Sequence, residues 1–222
     1  MQLTDRRLKK AEIIPTVIDT FHPLLTISIT WNNASAEYGN SINPSLTQSE
    51  PNIRFLDTLP ESSSSMAKHA QLTLAMTDPD APSRENPEWS EICHWITTSI
   101  SLQDANANDV NPASKMEDVM PYKPPGPPPK TGKHRYVFVA LAPLNGTTEA
   151  LHLVKPGDRQ HWGYEGERVG LRKWAEEMGL GVVGECSSLS CVSSYGSDEL
   201  IDYKARISYM NRTMSSDGAI SR

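Results

Sequence analysis

Only three cysteines occur in the 222 residues, so at most one disulfide forms and the chain is no disulfide-stapled scaffold. No apolar run approaches the roughly 18 residues of a membrane span. Met1–Lys10 is charged and lacks an apolar h-region, so no secretory leader is expected there. A cytoplasmic protein is the default expectation, and the glycosylation-type triplets at Asn33, Asn145 and Asn211 then carry no message. Excess positive charge is missing too: 21 Lys and Arg stand against 27 Asp and Glu, a net charge of −6. General nucleic-acid binding needs a basic face and is excluded on that ground. Neither a phosphate-cradling GxxxxGK[ST] loop nor a nucleophile elbow occurs, which excludes ordinary kinase and hydrolase chemistry. Proline and glycine are plentiful, at 17 and 13, and favour a loop-rich fold over a helical bundle.

The length suits one domain, with no internal repeat and no clear boundary. Residues 1–196 are expected to form it, with a helical segment at the start and a C-terminal extension over 197–222. Residues 4–14 read as a short helix that Thr4 caps and Pro15 stops. Leu25, Ile27, Ile29 and Trp31 alternate with Thr26, Ser28 and Thr30, the pattern of a half-buried strand. Residues 32–52 read as loop and Ile53–Leu59 as a second strand. Leu72, Leu74 and Met76 alternate in a strand that delivers Asp78 at its end, and His94–Ile100 forms another. Residues 103–124 are polar and irregular. Tyr136–Ala142 is apolar on both faces and reads as a central strand. Leu151–Val154 suits an edge strand. Leu171, Trp174, Ala175 and Met178 make the best helical stripe, with Gly179 as its C-cap. A further stripe, Leu200, Tyr203, Ile207 and Met210, starts near Ser197.

Two stretches carry the chemistry. In Asp78-Pro79-Asp80-Ala81-Pro82-Ser83-Arg84, two carboxylates sit two residues apart with a proline after each. Proline fixes φ and pushes its predecessor towards extended geometry, so this loop is stiff and non-helical. The second stretch runs from Gly126 through Pro127, Pro128, Pro129, Lys130, Thr131, Gly132, Lys133, His134 and Arg135 to Tyr136. Its glycines leave main-chain N–H groups open to an anion. His94 lies between the two stretches, and the loops are expected to meet in one small polar pocket.

These residues resemble the motifs of the phosphatidylethanolamine-binding protein family, in particular its fungal branch similar to the carboxypeptidase Y inhibitor. The Asp-Pro-Asp-Ala-Pro-Ser-Arg run, Cys93-His94-Trp95, and Gly-Pro-Pro followed by Thr-Gly-x-His-Arg-Tyr occur in the family's order. Lys10–Pro15 and Gly170–Trp174 match the fungal type, and the likeness spans about residues 8–184. The resemblance implies a mainly β (α+β) fold: a large antiparallel sheet packed on a smaller one, with a few peripheral helices. It implies a pocket for phosphate- or carboxylate-type anions, built by Asp78, Pro82, Trp89, His94, Gly126, Pro127, His134 and Tyr136, with Asp80 and Arg135 supporting from behind. Trp89 stands where relatives often carry a tyrosine. The Glu185–Cys191 stretch departs from the apolar, aromatic segment usual there.

Within that resemblance, an aspartate paired with an imidazole turns the ring's other nitrogen into a donor to the ligand, and anion binding should strengthen as the pH falls towards ~6. His22, His69, His152 and His161 have no motif around them and read as surface or structural. Two histidines with two aspartates also have the composition of a facial metal triad; the family pocket is no metal site, so neither metal nor cofactor is expected. Cys186 and Cys191 pair, ligate or pack. Lys130, Lys133 and Arg135 steer anions or solvate a loop. The implied function is capture of a small anion or phospholipid headgroup, with inhibition of a serine carboxypeptidase through the N-terminal segment and the pocket surface. The alternative is an accessory protein or enzyme in a fungal secondary-metabolite pathway of polyketide anhydride type, acting on a carboxylate intermediate beside a biosynthetic partner enzyme.

Overall fold

The computed structural model of the protein describes residues 2–37, 39–57, 71–101 and 116–185. The elements are α1 (Gln2–Lys10), β1 (Leu25–Trp31), β2 (Ala34–Ala36), β3 (Asn52–Asp57), β4 (Gln71–Asp78), β5 (Ile92–Ser101), β6 (Glu117–Met120), β7 (Val137–Pro143), α2 (Gly170–Glu177), β8 (Leu180–Val182) and β9 (Gly184–Glu185). A small sheet runs β2-β1-β3, antiparallel, and β9 joins β1 in parallel. A larger antiparallel sheet runs β6-β5-β4-β7-β8. The mainly β, two-sheet architecture implied by the sequence motifs is the one observed.

The alternation in β1 works as written: Leu25, Ile27, Ile29 and Trp31 are buried, and the residues between them half-buried. Trp31 meets Phe138 of β7 edge-on, with ring centroids 6.2 Å apart, and ties the sheets together. β4 and the first five residues of β7 are buried without alternation, the pattern of interior strands covered on both faces. Helix α2 packs beside β8 and β5, burying Leu171, Trp174 and Ala175. Gly170 is required for this approach, since a Cβ there would lie 2.2 Å from Cδ1 of the buried Trp162.

Four local expectations change. Helix α1 stops at Lys10 rather than at residue 14, because Ile13, Ile14, Val17 and Ile18 all turn into the core. Glu12 then adopts φ 55° and the chain leaves helical geometry. Leu151–Val154 is no strand: the main chain of Val154 bonds instead to Nε1 of Trp174 and Sδ of Met178. β2 and β6 are short strands inside stretches expected to be irregular. β3 is described as far as Asp57, and the expected stripe from Leu200 to Met210 lies outside the described residues, as do His69, Cys186 and Cys191.

One ionisable side chain is sealed in the core beside α2. Glu91 is completely buried; its Oε2 accepts the Thr77 hydroxyl at 2.9 Å, and Oε1 has no partner. Burial pushes this carboxyl from 4.5 up to about 7, against the pull of Thr77 and the Leu171 amide towards the charged form. The folded protein therefore holds this proton more tightly than the unfolded chain, so Glu91 lowers stability progressively as the pH rises from 4.5 through 7. Glu91→Gln should gain stability over the wild type at pH 8 relative to pH 4.5, by roughly 3 kcal/mol. Urea unfolding at the two pH values measures it; an equal difference at both would contradict this account.

Candidate functional site

Antiparallel pairing places the end of β4 beside the starts of β5 and β7: Thr77 pairs with both Cys93 and Val137. Asp78 closes β4, His94 lies near the start of β5, and His134, Arg135 and Tyr136 lead into β7. Distant stretches of sequence thus meet at one edge of the large sheet. The β4–β5 register slips there, from Met76 opposite Trp95 to Thr77 opposite Cys93. His94 is the extra residue of this bulge, and a bulge re-aims its side chain and frees its main chain from the ladder. The freed carbonyl accepts the Lys123 N–H at 2.8 Å and Nη1 of Arg159 at 3.0 Å.

Each aspartate has its own cation. Oδ2 of Asp78 is 2.8 Å from Nδ1 of His134, and its Oδ1 accepts the Asp80 N–H at 2.8 Å. Asp80 is fully buried. It receives the Arg135 N–H and Nε on Oδ2 at 2.9 and 2.8 Å, and Nη2 on Oδ1 at 2.6 Å. Nη1 of Arg135 donates to the carbonyls of Ala11 and Glu12 at 2.9 and 2.8 Å. Asp80 and Arg135 thus form a buried, forked ion pair that also holds the chain just after α1.

The two imidazoles differ in state. Both pack on Tyr136: His94 edge-on at 5.0 Å, His134 stacked at 6.4 Å. Nε2 of His134 is 2.9 Å from the Thr131 hydroxyl, which donates to the Pro128 carbonyl at 2.7 Å. A hydroxyl has one proton; with that proton on the Pro128 carbonyl, Nε2 as well as Nδ1 of His134 is placed to donate, an arrangement that favours the charged ring. Burial works against that charge, but the hydrogen bond to Asp78 and the charges of Asp78 and Asp80 overcome it and raise the pKa. His94 behaves in the opposite way. Its Nδ1 is 2.7 Å from the Lys123 carbonyl, and burial pushes its pKa down to about 4 despite Asp78. The Asp–His pair is therefore Asp78–His134, and His94 does not become charged near pH 6.

The remaining candidates frame this centre. The Pro82 carbonyl favours the charged form of His134, which places it at that ring. Trp89 is tied through its main-chain N–H to the Ala81 carbonyl, and the residue is 44% exposed. Gly126 and Pro127 lie between Lys123, bound to His94, and Pro128, bound to Thr131; a Cβ on Gly126 would meet nothing within 4 Å. His22 and His152 are exposed, and His161 bonds the Ser90 carbonyl at 2.8 Å. Among the described residues no group of three or more His, Cys, Asp or Glu side chains is arranged to hold a metal.

Sequence reasoning missed Arg159, which donates to the carbonyls of Cys93 and His94 at 3.0 Å each and of Pro121 at 2.7 Å. No motif surrounds it, and only the bulge explains its position. Thr131 was visible inside the quoted stretch, three residues before His134.

The model of the family described as phosphatidylethanolamine-binding protein matches residues 26–183. An uncharacterized protein of Saccharomyces cerevisiae is 34% identical over 181 residues, covering 80% of this chain and 88% of its own. The carboxypeptidase Y inhibitor of the same yeast is 30% identical over 195 residues, covering 79% and 89%. Among solved structures, the carboxypeptidase Y inhibitor complexed with its cognate proteinase superimposes with a TM-score of 0.69 at 28% identity, covering 82% of this chain and 92% of that one. A phosphatidylethanolamine-binding protein from Plasmodium vivax shares the fold, with a TM-score of 0.61 at 21% identity, covering 86% and 96%. With the matched segment containing both aspartates, both site histidines and the strands that bring them together, the chain belongs to the phosphatidylethanolamine-binding protein family.

Proposed function

We propose that the protein captures one small phosphate- or carboxylate-type anion, such as a phospholipid headgroup presents, and inhibits a serine carboxypeptidase. The observation that carries the pocket reading is His134: a buried imidazole with partners on both nitrogens that favour its charged form. Positive charge on a buried ring attracts an anion, and Gly126, in the stretch that leads to His134, has open space where a Cβ would stand. The inhibitor reading draws on similarity, in sequence and fold, to the yeast carboxypeptidase Y inhibitor. It also draws on the attachment of the segment after α1 to Arg135, which makes the N-terminal segment a neighbour of the pocket.

A second reading rests on His94. A buried imidazole that is neutral at pH 7 is a competent proton acceptor, as the carboxylate-processing alternative requires. Retention of carboxypeptidase inhibition in His94→Ala, with loss of pathway activity, favours that alternative.

Two outcomes are expected. Purified protein should inhibit a serine carboxypeptidase in a peptide-hydrolysis assay, and a version lacking residues 1–15 should lose most of that inhibition; equal potency of the two would sink the inhibitor reading. Ring NMR should show His134 titrating above the ordinary histidine value and His94 near 4. The sign follows: the charge on His134 is present below its raised pKa and lost above it, so anion affinity falls as the pH rises through that titration. His134→Ala should weaken inorganic phosphate binding by about tenfold or more in calorimetry, as removal of a nearby partly buried positive charge does; unchanged affinity contradicts the pocket reading.

A further inference from the structure

Two consecutive residues near the start of β5 hold a costly backbone. His161 and Trp162 have φ of 51° and 55°, left-handed geometry that residues with a Cβ avoid and keep only where surrounding contacts enforce it. The turn they form begins at Arg159, whose carbonyl accepts the Trp162 N–H at 3.3 Å, while the Gly163 N–H donates to the Gln160 carbonyl at 2.9 Å. The turn sets the direction of Arg159. That residue takes the Cys93 N–H on its carbonyl at 2.7 Å and lays its guanidinium on the His94 carbonyl.

Two side-chain anchors hold the turn. Nδ1 of His161 lies 2.8 Å from the Ser90 carbonyl, which also accepts the Arg168 N–H at 2.9 Å. Nε1 of Trp162 donates to the Thr77 hydroxyl at 3.1 Å, and the indole is buried against Gly170 and Trp174. The Thr77 hydroxyl has one proton and two acceptors in reach, Oε2 of Glu91 at 2.9 Å and the Ile92 carbonyl at 3.2 Å. The nearer is Glu91, and its hold on the proton leaves the hydroxyl oxygen to accept from the indole. Glu91 also receives the Leu171 N–H, in the first turn of a helix whose own N-cap residue, Val169, supplies no side-chain bond. One sealed carboxyl thus secures the 162–171 stretch at both ends, at the indole through Thr77 and at α2 directly.

We propose that Glu91 is a positioning residue of the site: through Thr77 and Trp162 it sets the left-handed turn that aims Arg159 at the His94 bulge. Without the carboxyl, the Thr77 hydroxyl turns to the Ile92 carbonyl and the indole loses its fixed acceptor. The turn then relaxes from a geometry that it holds only under constraint. Glutamine keeps an oxygen where Oε2 stands and so keeps the Thr77 bond; leucine removes it. Only the effect on anion affinity rests on the anion-pocket reading, and the linkage from Glu91 to His94 stands apart from it.

The test compares Glu91→Leu, Glu91→Gln and Thr77→Val in the full chain by NMR of the histidine rings and the Trp162 indole N–H, with inorganic phosphate titrated by calorimetry at pH 7. Thr77→Val cuts the same relay with the carboxyl in place, and so decides the matter if Glu91→Leu does not fold. Ile53→Ala, a buried change in the small sheet, controls for lost stability alone. Glu91→Leu and Thr77→Val should displace the His94 and Trp162 resonances and leave those of His134 in place. They should also weaken phosphate binding by about threefold or more, the usual size of an effect passed through a packed network. Glu91→Gln and Ile53→Ala should stay close to the wild type in both readouts. Folded Glu91→Leu and Thr77→Val proteins with unmoved His94 resonances overturn the proposal, and so does an Ile53→Ala protein that moves them as far. A wild type that binds no phosphate overturns the pocket reading, while the resonances still decide the linkage.

Discussion

Two buried carboxylates at the end of one strand dictate the rest of the site. Asp78 and Asp80 are almost wholly removed from water, and an unpaired charge there is costly enough that breaking such a pair costs about 3–5 kcal/mol. Each must find a cation, and the chain supplies adjacent ones, His134 and Arg135. The prolines on one side and the run into β7 on the other leave little freedom in how the two loops meet. The match is two against two, carboxylate by carboxylate, and it fixes the angle at which the 126–136 stretch reaches the sheet.

The bulge at His94 is the second constraint. In a regular ladder His94 would face a β4 residue and its carbonyl would be spent on that pairing. The slipped register hands the carbonyl to Lys123 and Arg159 instead, and the same stretch returns the Lys123 carbonyl to Nδ1. One irregularity thus sets the direction of the ring, its tautomer and the positive charge beside it. Burial and those charges lower the pKa of His94, while Asp78 raises that of His134. Two imidazoles packed on one tyrosine ring thus have their pKa values shifted in opposite directions.

Much of this was legible in the sequence. The period-two pattern of β1, the apolar run of β7 and the stripe of α2 follow from burial on one face or two, and burial is written in residue type. The site was legible as a set of residues because the aspartates, prolines and glycines are needed at fixed spacing in stiff loops. Its proton arrangement was not. Which histidine pairs with Asp78 depends on a register slip that no residue type announces. Arg159 owes its place to carbonyls, which every residue carries alike, so nothing in the sequence marks it. The end of α1 was missed for a related reason: Ile13, Ile14, Val17 and Ile18 are buried once the chain turns after Lys10, and nothing in their residue types marks where the turn comes.

Arg135 joins the pocket to the N-terminal segment. Its guanidinium divides its three nitrogens between two tasks, with Nε and Nη2 on Asp80 and Nη1 on the two carbonyls that follow α1. Lysine, with a single compact ammonium, has no fork to bridge both sides. The exposed pair of Arg84 and Glu12, 2.7 Å apart, lies across the same junction but in water, where such pairs contribute little. The buried fork therefore holds the segment in place. It also ties the segment after α1 to the stretch that carries His134, so the two move as one piece of structure.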